Sequence, residues 1–220
     1  MVIESTVRIV RLVQLGGRFR ITLSNREESL VVEAILVAKH RLKEGIVLTA
    51  PQSAILEREA AEGACDREVA RLLALRPHSI GELRAKLHRK KYEGEHVATI
   101  IKRYKQRGLL DDAHVASTLV RLTLERKPAG RSYLVALLRR KLIDRDLAEQ
   151  TVEMALGDRD ESELAYEALS RRRRVLFSAK QLDVETIRRR AYTYLSRRGI
   201  GYSAAKAAFE RLLKETEKHG

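Results

Sequence analysis

The feature that most constrains this chain is a degenerate internal repeat. ELRAKLHRKKY (82–92) overlays YLVALLRRKLI (133–143) at an offset of 51, and RAYTYLSRRGI (190–200) overlays the second copy at an offset of 57. In that register Leu87, Leu138 and Leu195 coincide, as do Tyr92, Ile143 and Ile200, and the helix that follows matches through Ile101, Val152 and Phe209. The flanking period is helical. Val97, Ile100, Ile101 and Tyr104 follow i, i+3, i+4, i+7, and so do Ala148, Thr151, Val152 and Ala155, then Ala205, Ala208, Phe209 and Leu212. A further helix precedes each copy, over roughly 66–75, 112–126 and 160–176, and Ser79, Asp111-Asp112, Asp144 and Ser203 mark helix starts. Units this short cannot bury an apolar face alone and must stack. The expected fold is mainly α: three tandem three-helix repeat units in an elongated array, preceded by a small β-hairpin-containing N-terminal domain.

The first 50 residues carry the β signal. Val7 to Leu15 is rich in Val and Ile, Gly16-Gly17 supplies a turn, and Phe19, Ile21 and Leu23 alternate with Arg18, Arg20 and Thr22, which predicts a hairpin. Leu30-Val31-Val32 adds a third short strand, and Glu33 to Arg41 reads as helical. Pro51 behind a Thr49 cap opens a long helix to about residue 75, with Gly63 as its weak point. These signals divide the chain into a β-containing domain (1–50), a linking helix (51–65) and three-helix units at 66–110, 111–157 and 158–220.

Charge then narrows the partner. The chain has 44 basic and 30 acidic side chains, a formal +14, which suits a polyanion such as nucleic acid. Residues 1–65 contribute only +1 and residues 66–220 contribute +13, so the C-terminal two thirds is expected to meet the anion. From Arg171 to Arg198 the surplus is +8, built on Arg171, Arg172, Arg173, Arg174, Lys180, Arg188, Arg189, Arg190, Arg197 and Arg198. The repeat register also aligns Arg89, Arg140 and Arg197 in one column and Lys90, Lys141 and Arg198 in the next. Basic residues in a last helical turn offset the macrodipole, and the same pairs, presented three times, suit a phosphate backbone. Tyr192, Tyr194 and Tyr202 lie among these arginines, where they suit either core packing or base stacking.

Catalytic signatures are missing from the sequence. The six histidines (40, 78, 88, 96, 114 and 219) form no HExxH pair, Cys65 has no CxxC partner, and there is no GxxxxGK[ST], GxGxxG or GxSxG. Asp111-Asp112 reads as a helix cap and not as a metal pair. No catalytic residue, metal or cofactor is expected. One cysteine excludes an intramolecular disulfide, Glu4 interrupts any early apolar region, and no stretch is long enough to span a bilayer. The residues thus suggest a cytoplasmic protein without a membrane partner. A free-standing helical DNA- or RNA-binding protein, such as a transcription regulator, is an alternative that these features leave open.

RPHSIGELRAKL (76–87), RGLLDDAHVASTLVR (107–121) and GRSYLVALLRRKLI (130–143), in that order, resemble the RecX regulatory-protein family. The similarity covers about residues 64–156 and extends more loosely to about 215, and the N-terminal hairpin looks like the β-bearing domain of longer members. There are departures: Lys91 and Leu142 stand where the family usually has Gly after the basic pair, Val115 replaces an aromatic, and Pro128-Ala129-Gly130 replaces Gly-Pro. The resemblance implies a non-catalytic modulator of the RecA recombinase in DNA repair, homologous recombination and the SOS response. It would sit along the RecA–DNA filament as a monomer, bind single- and double-stranded DNA with little sequence specificity, and inhibit ATPase, strand exchange and coprotease activities.

Overall fold

The computed structural model describes residues 6–177 and 183–217; Glu4, Lys180 and His219 lie outside these. The chain opens with β1 (Val7–Leu15), β2 (Arg18–Leu23) and β3 (Leu30–Glu33), then α1 (Ala34–Lys39) and β4 (Val47–Leu48). The hairpin turns at Gly16-Gly17, with Gly16 at φ +63° and Leu15 opposite Arg18. The N-terminal part is a four-stranded antiparallel sheet in the order β3-β2-β1-β4, one strand more than the local pattern announced. Two residues of β4 suffice because Val7 pairs with Leu48 and both are buried. One face of the sheet packs Ile9, Ile21, Leu23 and Val32 against Leu56 and Ala60 of α2 (Ala50–Leu75). That helix starts on a capping box: Thr49 Oγ1 accepts from Gln52 N, and Gln52 Oε1 accepts from Thr49 N. It continues through Gly63 without a break.

Beyond α2 the molecule is helical: α3 (Ile80–Arg89), α4 (Gly94–Gln106), α5 (Asp112–Arg126), α6 (Arg131–Arg140), α7 (Arg145–Leu156), α8 (Glu161–Ser170), α9 (Arg173–Leu176), α10 (Val184–Ser196) and α11 (Tyr202–Glu217). Two compact units result. One holds the described residues up to His78 with Glu82–Leu110, and the other holds Ser79–Gly81 with the described residues from Asp111 onward. The six repeat-register residues Leu87, Leu138, Leu195, Ile101, Val152 and Phe209 are all buried. Asp111 Oδ1 accepts from Ala113 N and His114 N, and Asp144 Oδ1 caps α7 in the same way.

Three local expectations are corrected. Ala155 is exposed and Leu156 takes the buried place. Ser203 does not start α11, which begins one residue earlier at Tyr202. The helix expected over 160–176 is broken, because Arg172 N bonds Leu169 O, one residue short of the α spacing, before α9 begins. Arg171 and Arg174, like charges three apart, disfavour a continuous helix through the run, and the break sends its side chains to different neighbours.

The repeat has a definite physical origin. After each middle helix, Lys91, Leu142 and Gly199 adopt left-handed φ values of 62°, 55° and 68°. Tyr92 N bonds Leu87 O, Ile143 N bonds Leu138 O and Ile200 N bonds Leu195 O, at 3.1–3.2 Å. Lys91, Leu142 and Gly199 donate to the carbonyls three residues back at 2.9 Å. This is the Schellman motif, with its apolar contact supplied by the two most similar columns of the repeat.

Candidate nucleic-acid interface

The C-terminal helices α8 to α11 share one core, built on Ala165, Ala168 and Leu169 of α8, Leu176 of α9, Ile187, Ala191 and Leu195 of α10, and Phe209 and Leu212 of α11. Tyr192 stacks edge-on against Tyr202 and Phe209, with ring centroids 5.3 and 6.0 Å away, so it belongs to the packing of this core. Tyr194 has a different role. The guanidinium of Arg172 lies 4.6 Å from its ring centroid and that of Arg198 lies 5.8 Å away, so one ring gathers arginines from two elements. Arg198 also lies 5.7 Å from the ring of Tyr133 on α6. Contacts of this kind hold a guanidinium plane while leaving its N–H donors for an anion.

The other arginines divide by their partners. Arg171 pairs with Glu167 at 2.5 Å and Arg188 pairs with Glu185 one turn away. Arg189 faces the field of Asp183, whose carboxyl is held below its usual range by the Thr186 N–H at 2.5 Å. Arg173 is half-buried and near Glu215. Arg174, Arg190 and Arg197 are exposed, and none has an ion-pair partner among the described residues. Arg190, Tyr194 and Arg197 fall at i, i+4 and i+7, along one stripe of α10 and its end. Exposed pairs such as Arg171–Glu167 are worth only about 0–1 kcal/mol, so such an arginine can exchange its acid for a phosphate.

The paired columns fare unequally. Lys90 bonds Glu68 at 2.9 Å, and Glu68 also holds Arg71 at 2.7 Å. Those bonds, Arg71 first, keep the nearly buried Glu68 carboxyl down at about 2, so Lys90 is committed to α2. Arg89 and Arg140 are exposed without an ion-pair partner among the described residues. Lys141 and Arg198 use their backbones as well: Ser79 Oγ donates to Lys141 O, and Gly130 N donates to Arg198 O at 2.8 Å. Ser132 Oγ donates to Gly199 O at 3.1 Å. The start of one middle helix thus sits on the basic turn that ends the next, twice in the second compact unit. A Cβ on Gly81 would collide with Leu142, and one on Gly130 with the Gly199 carbonyl. Neither glycine was singled out by its neighbours in sequence.

A cleft of about 1100 Å³ lined by Arg121, Glu125, Arg159, Glu163, Glu167 and Arg171 carries alternating charges. Among the described residues no three His, Cys, Asp or Glu side chains gather as metal ligands, and no helix is long and apolar enough to cross a membrane. Cys65 is buried, and burial pushes its thiol up to about 11.

Comparison with known proteins agrees with this architecture. A family model described as the first three-helix domain of RecX matches residues 68–103. Regulatory protein RecX of Pelodictyon phaeoclathratiforme is 31% identical over 143 residues, covering 65% of this chain and 85% of the relative. The chain belongs to the RecX family. Regulatory protein RecX of Amycolatopsis mediterranei is 32% identical over 144 residues, covering 66% of this chain and 80% of its own. A crystal structure of regulatory protein RecX shares the fold over 92% of this chain and 99% of that one, with a TM-score of 0.68 at 18% identity. As a RecX-family member the chain has a regulatory role.

Proposed function

We propose that this RecX-family chain regulates the RecA recombinase by binding its filament on DNA, without catalysing a reaction itself. The third unit anchors it. Arg172 and Arg198 on Tyr194, with Arg174, Arg190 and Arg197 lacking acidic partners among the described residues, supply phosphate contacts without sequence readout. The gathering of Arg172 and Arg198 on Tyr194, beside a helix whose Arg190 lacks an acidic partner among the described residues, is the observation that carries the reading. Arg171, Arg173, Arg188 and Arg189 reinforce the field, and Arg89, Arg140 and Lys141 extend it, with Lys90 mainly structural. The working units are the β-containing segment 1–50, the helix 51–65 and the three-helix segments 66–110, 111–157 and 158–220. The chain acts as a monomer in the cytoplasm on single- and double-stranded DNA, and it lowers RecA ATPase, strand exchange and coprotease activities.

Titrating the chain into RecA assembled on single-stranded DNA, while following ATP hydrolysis, tests this reading. Hydrolysis is expected to fall as the chain approaches stoichiometry with RecA, and no change at that ratio would overturn the proposal. Replacing Arg171, Arg172, Arg173 and Arg174 with Ala is expected to weaken inhibition and DNA affinity together. Loss of DNA affinity with inhibition intact would move the anchor to a protein contact.

A further inference from the structure

The N-terminal sheet has two faces of opposite character. One is apolar and covered by helices, through Ile9, Ile21, Leu23 and Val32. The other carries Arg8 and Arg11 on β1 and Arg18 and Arg20 on β2, all exposed. Strict alternation from the buried Val7 and Ile9 would send Arg11 toward the core. A register shift between Ile9 and Arg11 prevents this: Ile9 lies opposite Leu23, yet Arg11 lies opposite Thr22, leaving Val10 as the extra residue. The bulge re-aims Arg11 to the side that Arg8 occupies, and bulges commonly re-aim a side chain in this way.

Three acids of the described segment are engaged or lie beyond the strands that carry these arginines. Glu33, opposite Arg18, is held by Arg67 at 2.6 Å, and Glu44 accepts the Leu12 N–H at 2.8 Å. Glu28 lies 3.9 Å from Arg26 beyond the end of β2. Arg8, Arg11, Arg18 and Arg20 have no ion-pair partner among the described residues. Residues 1–65, with a net charge of only +1, therefore present one cationic face.

We propose that the outer face of this sheet is a second phosphate-binding surface for nucleic acid, with Arg8, Arg11, Arg18 and Arg20 as its contacts. Arg18 and Arg20, two residues apart on an extended strand, project about 7 Å apart. That pitch suits successive phosphodiesters of an extended strand. Arg20 lies between Val13 and Val31, whose half-buried side chains flank its stem and leave its head in water. The aromatic Phe19 is on the opposite face, and the apolar residues that share the arginine face, Leu15, Val13 and Val31, are half-buried. The surface stands apart from the RecA reading, which rests on the third unit.

The test uses the full chain, labelled oligo-dT and a duplex of the same length across a salt series. R8T/R11T/R18T/R20T keeps β-branched residues in the strands, and the four Arg→Lys changes keep the charge. For oligo-dT, the slope of log affinity against log salt is expected to fall by about 0.7 per lost contact, up to ~3 for all four. The lysine variant should keep the slope, and the effect should not depend on base sequence. If the quadruple variant does not fold, R8T/R11T and R18T/R20T should each lose about half as much. An unchanged slope in a variant with native circular dichroism would overturn the proposal. So would loss of binding to anionic phospholipid vesicles with DNA binding intact. If the sheet variant loses slope while the Arg171–Arg174 variant does not, this surface stands and the third-unit anchor falls.

Discussion

Lys91 and Leu142 show how a backbone requirement outlasts the residue that meets it most easily. Both sit left-handed at the end of a middle helix, at φ 62° and 55°, in the place that Gly199 fills in the third copy. The left-handed conformation costs a residue with a Cβ roughly 1–2 kcal/mol, and the Schellman hydrogen bonds with the buried leucine behind them offset that strain. Lys91 is exposed, so its side chain adds little packing to set against the cost. Lys91→Gly is therefore expected to raise stability by about 0.5–1 kcal/mol in urea unfolding, after allowing for the extra freedom of glycine in the unfolded chain. A loss of stability would mean that the lysine side chain contributes more than its exposure suggests. Leu142 is a poorer site for the same change, because its Cβ lies against Gly81.

At the scale of elements, the middle helices are held end to turn. Gly130 has an ordinary φ of −81°, so a side chain there is not excluded by backbone conformation. It is excluded by space, because Gly130 N donates to Arg198 O at 2.8 Å and the next carbonyl fills the Cβ position. Gly130→Ala should cost about 1–3 kcal/mol, the usual range for overpacking. A denaturant midpoint within error of the parent protein would show that the α6–α10 junction is loose. The helical elements themselves were legible from local sequence, since the i, i+3, i+4, i+7 spacing and the Asp111 and Asp144 caps act within one turn of chain. The junction was not legible. Gly130 and Gly199 are distant in sequence, and nothing local says which carbonyl lies over a glycine. β4 was missed for a related reason, because two residues become a strand only when β1 is there to pair with them.

At the scale of the molecule, a formal charge of +14 means that the folded chain repels itself. Salt screens that repulsion over a Debye length of about 8 Å at physiological ionic strength, while the exposed ion pairs it also weakens are worth little. Raising NaCl is therefore expected to raise the thermal midpoint while it weakens DNA binding. A midpoint that falls with salt would show that ion pairs such as Glu68 with Arg71 and Lys90 outweigh the net repulsion.

The sequence by itself determined the helical repeat, the hairpin and the cationic surplus, because periodicity, turn chemistry and charge are properties of neighbouring residues. Tertiary structure decided which cations remain available. Glu68 takes Lys90 out of the basic column, Tyr194 gathers Arg172 and Arg198, and the β1 bulge turns Arg11 outward. A charge sum over residues 1–65 cancels Arg8, Arg11, Arg18 and Arg20 against acids such as Glu33 and Glu59, which are engaged by Arg67 and by Lys39 and His40. Coulomb and hydrogen-bond energies depend on distance in space, and only the packing of elements sets those distances.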